Sequence, residues 1–288
     1  MLEVRHERLQ EELAGLDALE LADRTTTTRG RRFWRAAWPK LAATVIALGV
    51  WQLVVWSGWK PDYVIPAPAT VFAELRDQFT SGKLVPAIGL TLQRAAKGYA
   101  VALVLGVVVG LAVSRSRVLR SAFGSFITGL QTMPSVVWFP FALIVFKKTE
   151  AAIMFVVVLG AAPSIANGLI SGIDQVPPLF LRAGRVLGAK RLAMYRFVTL
   201  PAALPNVIGG LKQGWAFAWR SLMAGELLVI IPGHLTVGVL MQNSRDTNDM
   251  PALMASMIVI LMIGIFVDAV FFAGVERSIR RRRGLLVP

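Results

Sequence analysis

Cysteine is absent from this chain, and histidine occurs only at His6 and His234. The first absence excludes disulfides and thiolate metal sites. The second leaves no zinc-type or haem-type ligand set, because the two imidazoles are far apart in sequence. Charge is also scarce. Asp, Glu, Lys and Arg make up 17% of the residues, against about a quarter in an ordinary soluble domain. No Gly-x-x-x-x-Gly-Lys-Ser/Thr run occurs, so the chain has no phosphate-cradling loop of its own. No hydrolytic triad and no carboxylate pair at acid–base spacing is present either. The charge that remains is lopsided, with 31 Lys and Arg against 17 Asp and Glu, a formal net +14. In a soluble protein that excess would suggest nucleic acid. Here the cations lie between apolar runs, so membrane topology accounts for them and no nucleic-acid partner is expected.

What is abundant is apolar surface: 55% hydrophobic residues and a mean hydropathy of +0.60. The class is an all-α polytopic membrane protein. About six runs approach the roughly 20 residues that a helix needs to cross the hydrocarbon. They fall near 41–57, 96–113, 125–146, 151–170, 207–231 and 253–275. Gly106 and Gly110 in the second form a small-xxx-small pair suited to close helix contact. Pro134 and Pro140 break the third, which needs neighbours or water for the freed carbonyls. Residues 1–40 read as a polar cytoplasmic tail. Within it Leu9, Leu13 and Leu16 repeat at helical spacing, threonines occupy 25–28, and a basic, aromatic approach follows at 29–35. The first apolar run starts only near residue 41, so no cleavable signal peptide is expected. The permease-like core spans 41–283, and 284–288 is a short tail. After the first run, a Pro-punctuated stretch leads into an amphipathic helix whose apolar residues are Val71, Phe72, Leu75 and Phe79, suited to an interface. No internal repeat stands out.

With six spans, one side of the membrane collects the tail, the 114–124 loop, the 174–205 segment and the C-terminus. These carry 21 Lys and Arg, against 7 in the loops of the other side. That bias puts both termini and the 174–205 segment in the cytoplasm.

Three charges inside apolar runs stand out: Arg220, Glu226 and Asp268. At a helix centre each costs about 2.5–3.5 kcal/mol on insertion scales, so each faces protein or water. Two readings stand for each. The group lines a polar path, or it makes an interhelical bond or snorkels to an end. Arg220 is the foremost path candidate, because a fixed cation in a wet cavity suits an oxyanion. Glu226 stands between the readings, and Asp268 leans toward the structural one. Met133 and Trp138, beside the prolines of the third run, are further path candidates, with packing as their other reading.

The polar segment 174–205 carries Arg182, Arg185, Lys190, Arg191 and Arg196 against one acid, Asp174. It reads as two short helices split at Gly188, with Ala183, Val186 and Leu187 forming a small apolar face. Gly188 is free to take positive φ and turn the chain, and Pro201 and Pro205 lead into the next apolar run. This segment resembles the cytoplasmic loop of bacterial ABC importer permeases, of the form Glu-Ala-Ala-x-x-x-Gly followed after a spacer by Ile-x-Leu-Pro. Arg182-Ala183-Gly184 occupies the triplet, Gly188 the glycine, and Val198-Thr199-Leu200-Pro201 the end. The departures are Arg182 in place of the acid and Gly184 in place of the second alanine. The stretches at 65–71, 91–100 and 210–228 resemble the nitrate, taurine and aliphatic sulfonate branch, the sulfonate type most.

The resemblance implies a type I importer permease fold in a bacterial cytoplasmic membrane. It implies a homodimer, two cytosolic ATPases that bind the ATP and Mg, and an external solute-binding protein. This chain itself would hold no cofactor, no metal and no catalytic residue. Arg182, Ala183, Gly184, Leu187, Gly188, Leu200 and Pro201 would form the coupling loop. The rival readings are a secondary transporter or channel working without an ATPase, and an intramembrane enzyme. The first would want inverted repeats or a midplane chain of ionisable groups, and the second a clustered His, Asp or Glu set. The sequence shows neither.

Overall fold

A computed structural model describes residues 29–282. The helix expected around Leu9, the threonines at 25–28 and the tail at 284–288 lie outside the described residues. Among the described residues every regular element is helical.

The chain divides into two compact units, Met1–Pro68 and Ala69–Pro288. In the first, α1 (Arg29–Trp56) takes up the basic approach as well as the apolar run, and its membrane-length part is Ala37–Trp56. None of that window is buried, and Trp38, Val45, Ile46 and Leu53 are exposed, as suits a helix bathed in lipid. The indole N–H of Trp51 donates to the Pro66 carbonyl at 3.1 Å, which folds the Pro-rich stretch back onto the last turns of α1.

In the second unit, α2 (Pro68–Thr80) docks through one edge of its apolar face. Val71 is buried and Leu75 packs on the core, whereas Phe72 and Phe79, turned round the helix, remain exposed. The helices that follow are α3 (Leu84–Arg115), α4 (Arg117–Thr132), a 3-10 turn (Ser135–Trp138), α5 (Phe139–Phe146) and α6 (Glu150–Asp174). Next come two short helices, α7 (Pro178–Val186) and α8 (Arg191–Met194). A π-helical turn (Tyr195–Thr199) then runs straight into α9 (Leu200–Leu228). The chain ends in α10 (Val237–Asp246), α11 (Met250–Val267), a second π-helical turn (Asp268–Phe272) and α12 (Ala273–Arg282).

The core is α6, flanked by α3 and α9. Glycine makes that possible, because little dispersion energy separates helix–helix from helix–lipid contact unless backbones come close. A Cβ on Gly106 would lie 2.8 Å from the Ala162 carbonyl oxygen, and one on Gly110 3.0 Å from that of Ala166. On the other flank, a Cβ on Gly168 would lie 2.4 Å from the Gly210 Cα, so the two backbones touch. Ile153, Val156, Val157, Ala161 and Ile165 of α6 are buried between the flanks.

Four helices are long and apolar enough to cross a membrane, or five if one bent pair counts as a span. The expectation of about six is corrected at two places. The run at 125–146 is two pieces, Arg117–Thr132 and Ser135–Phe146, bent by 99° at Met133–Pro134, as proline without a backbone donor favours. The helix through 207–231 is long enough, but it carries Asn206, Lys212, Gln213, Arg220 and Glu226 and is not among the four. The second span is also longer than read. It begins at Leu84, so Arg94 lies inside α3 and not in a loop.

Candidate functional site

Three arrangements carry the chemistry. The first is a buried clasp where α3, α6, α9 and the start of α10 meet. Arg94 is 3% exposed and Glu226 is wholly buried. Arg94 Nη1 donates to Glu226 Oε1 at 3.3 Å. Glu226 Oε2 accepts from the Thr91 hydroxyl at 3.0 Å and from the Gly238 N–H at 3.1 Å. Thr91 Oγ1 in turn accepts from the Val237 N–H at 3.1 Å. Thr236 caps α10 by accepting from the Val239 N–H. On its outer side, Arg94 Nε donates to Glu150 Oε1 at 3.0 Å, Nη2 forms a shorter ion pair with the same oxygen, and His234 Nδ1 stands 3.1 Å from both Nη2 and that oxygen. Nδ1 can accept from Arg94 or donate to Glu150, not both, so the imidazole tautomer selects its partner. Gly238 is what lets α10 approach, since a Cβ there would fall 2.3 Å from the Glu226 Cβ. A buried carboxylate with three donors and a guanidinium with two carboxylates is the satisfied form of such a pair.

The second arrangement is a cleft of about 720 Å³ between α9, α10 and α11, lined by Trp219, Arg220, Met223, Met241, Met257 and Asp268 among others. Arg220 is exposed there and lies over the Phe217 ring at 5.0 Å. Asp268 is held by Lys212 at 2.9 Å.

The third is the 174–205 segment. Two short helices flank Gly188, whose φ of +80° is the left-handed conformation a turn between them requires. Val186 and Leu187 are 87% and 86% exposed, with Leu179, Phe180, Leu192 and Phe197 exposed around them. A cavity of about 380 Å³ is lined by Phe180, Ala183, Gly184, Leu187, Phe197 and Pro201 among others. Gly184 is buried, and a Cβ there would come within 2.9 Å of the Met194 sulfur and 3.0 Å of Val198. α7 thus lies close on the chain after α8, and an alanine at 184 would require the Met194 side chain and Val198 to give way slightly. Arg182 and Pro201 are exposed at the surface of the segment, and Leu200 opens α9. Two polar ties hold the segment's base: Arg120 to Asp174 at 2.7 Å and Asn206 to Gln175 at 2.8 Å.

Of the residues read as path candidates, Arg220 lies in the cleft and Glu226 in the clasp. Trp138 packs against the core and edge-on to Phe141, and Met133 sits exposed at the bend. Arg94, Thr91, Glu150, His234 and Lys212 had no assigned role in the sequence reading. Among the described residues no cluster of His, Asp and Glu is placed to hold a metal ion.

Residues 102–284 match the family described as binding-protein-dependent transport system inner membrane component, and the chain belongs to that family. It is similar to a probable ABC transporter permease of Brucella melitensis, 27% identical over 82% of this chain and 94% of that one. It is similar to the nitrate import permease protein NrtB of Leptolyngbya laminosa, 26% identical over 82% of this chain and 85% of the relative. SsuC of Bacillus subtilis, named a putative aliphatic sulfonates transport permease protein, is also 26% identical, over 86% of this chain and 89% of its own length. Among solved structures, the MetNI methionine ABC transporter in an inward-facing form shares the fold. Its TM-score is 0.59 at 18% identity, covering 69% of this chain and 97% of that one. The protein is an inner membrane component of a binding-protein-dependent transport system, with the permease fold seen in solved type I ABC importers.

Proposed function

We propose that this chain forms, as a homodimer, the path of an ATP-driven importer for a small organic oxyanion, an aliphatic sulfonate before taurine or nitrate. It works with two cytosolic ATPases that carry the ATP and Mg, and with a solute-binding protein on the opposite face. The observation that carries this reading is the exposed apolar face of α7 and its turn, Val186 and Leu187 above all. A patch of that kind on a basic segment outside the apolar helices marks a docking surface for another protein. Arg182, Ala183, Gly184, Leu187, Gly188, Leu200 and Pro201 form the coupling loop. Closure of the ATPases on ATP presses this loop, and the ties at Asp174 and Gln175 pass the load to α4 and α9. Both termini and the loop lie on the cytoplasmic side.

The path runs along the Arg220 cleft. Its apolar lining, with the Arg220 guanidinium exposed in it, suits an anionic head carrying a short hydrocarbon, which favours a sulfonate over nitrate or bicarbonate. Met133 and Trp138 at the bend border the path, and Glu226 belongs to the clasp that holds the helices together. Uptake of radiolabelled ethanesulfonate in vesicles tests the reading. It should require ATP and the ATPase subunit, and uptake driven by a proton gradient with no such subunit would refute it.

A substitution at the docking face gives a sharper outcome. Val186→Asp and Leu187→Asp change no packing in this chain, so folding and membrane insertion stay as they are. Each places a charge in an interface that must desolvate it. A central contact of this type is worth about 2 kcal/mol or more, so ATPase affinity should fall about thirtyfold. Pull-down with the tagged ATPase and size exclusion of the variant measure both halves.

A further inference from the structure

We propose that Lys212 is a second anion station on the solute path, masked in this conformation by Asp268 and uncovered when that pair parts. The proposal rests on the reading of the Arg220 cleft as part of the path. Lys212 and Arg220 both belong to α9, about 12 Å apart along its axis. Asp268 is the carboxylate between them in function: it lines the cleft that holds Arg220, and its Oδ1 lies 2.9 Å from Lys212 Nζ.

The pair differs in kind from the clasp. Arg94 and Glu226 are 4% and 0% exposed in their side chains, and the Thr91 hydroxyl and the Gly238 N–H both donate to Glu226. Lys212 and Asp268 are 45% and 47% exposed. Charges along membrane helices are costly unless they face water or a partner group. Arg220 and Asp268 line one cleft, Lys212 stands at its border through Asp268, and a wet anion path gives all three charges a use. Among the described residues Arg220 meets no carboxylate, so it is the open station. An oxyanion that moves on from it must compete with Asp268 for Lys212. That competition keeps the second station weak enough to release its anion, as conduction requires. Asp268 also opens a π-helical turn, a break in regular bonding at which a helix shifts register with little loss.

The test is ethanesulfonate binding to the full chain in lipid nanodiscs, read by tryptophan fluorescence, since Trp219 lines the same cleft. Asp268→Asn should tighten binding and Lys212→Gln should weaken it, each by about fivefold, the weight of one exposed ion pair. The double variant should bind like Lys212→Gln alone. Each single variant breaks the same pair, so a purely structural role predicts shifts of one sign together with equal losses of thermal stability. That result, or no shift in either, overturns the proposal, as does failure of wild type and Asp268→Asn alike to bind ethanesulfonate, sulfate or nitrate. Arg220→Gln separates the two readings. Unchanged binding in that variant, with opposite shifts in the other two, removes Arg220 from the path and leaves the Lys212 station standing.

Discussion

Glu226→Leu should abolish the yield of monodisperse protein, or lower its stability by about 3–5 kcal/mol, the cost of leaving a buried charge without its partner. The reason is specific to this clasp. Arg94 would keep Glu150 but lose Glu226, and the Thr91 hydroxyl and the Gly238 N–H would lose their shared acceptor. Arg94→Met should do comparable damage, since a wholly buried carboxylate then has no counter-charge. The double variant Arg94→Met/Glu226→Leu should recover a large part of the loss, because apolar side chains of similar volume often replace a buried pair without penalty. It should not recover all of it, as the Gly238 N–H still lacks an acceptor. Thermal unfolding in detergent, followed by tryptophan fluorescence, gives the cycle. Equal and additive losses would show that the two groups do not act on each other.

The second large effect lies at the crossing of α6 and α9. Gly168→Ala adds one methyl group, yet that carbon would sit 2.4 Å from the Gly210 Cα and 3.1 Å from its nitrogen. Neither is the end of a flexible side chain, so the helices themselves must separate. Separation also lifts Ile165 from Gly214 and Ile153 from Gly225, contacts along the same seam. We expect a loss of about 3 kcal/mol, the upper range for overpacking. Gly209→Ala, one residue from the crossing and facing open space, is the control and should be neutral. The same unfolding measurement compares them, and equal behaviour of the two would refute the close crossing.

The legible part of this fold was its local part. Apolar runs, the turn at Gly188 and the small pair Gly106–Gly110 follow from composition and spacing, although the bounds and continuity of several runs differ from the reading. The bend at Pro134 was legible as a break but not as an angle of 99°, which the neighbouring helices set. Arg94 was missed for a physical reason. A hydropathy window sees a cation and ends the span, whereas the helix continues because the charge is neutralised by Glu226 and Glu150, 132 and 56 residues away. One signal for it does exist in the chain. Ala87, Thr91, Arg94, Gly98, Ala102, Gly106 and Gly110 recur every three or four residues, a stripe of small residues with one arginine, and all of them are buried. Such a stripe marks a helix packed face to face with another. Lys212 was overlooked in the same way, being read as part of a span with no partner in view. Gly184 shows the reverse case: the departure was visible in the sequence, and its close neighbours, Met194 and Val198, were not.

The absence of cysteine makes the central claim directly testable. Leu187→Cys places a single thiol on the most exposed part of the docking face without touching the core. With the whole transporter assembled in cells, that thiol should resist membrane-impermeant maleimide added from outside and react in inverted vesicles. It should also cross-link to the ATPase subunit in a nucleotide-dependent manner. Labelling of Leu187→Cys from outside intact cells, or its failure to reach any ATPase in the functioning complex, would contradict the account.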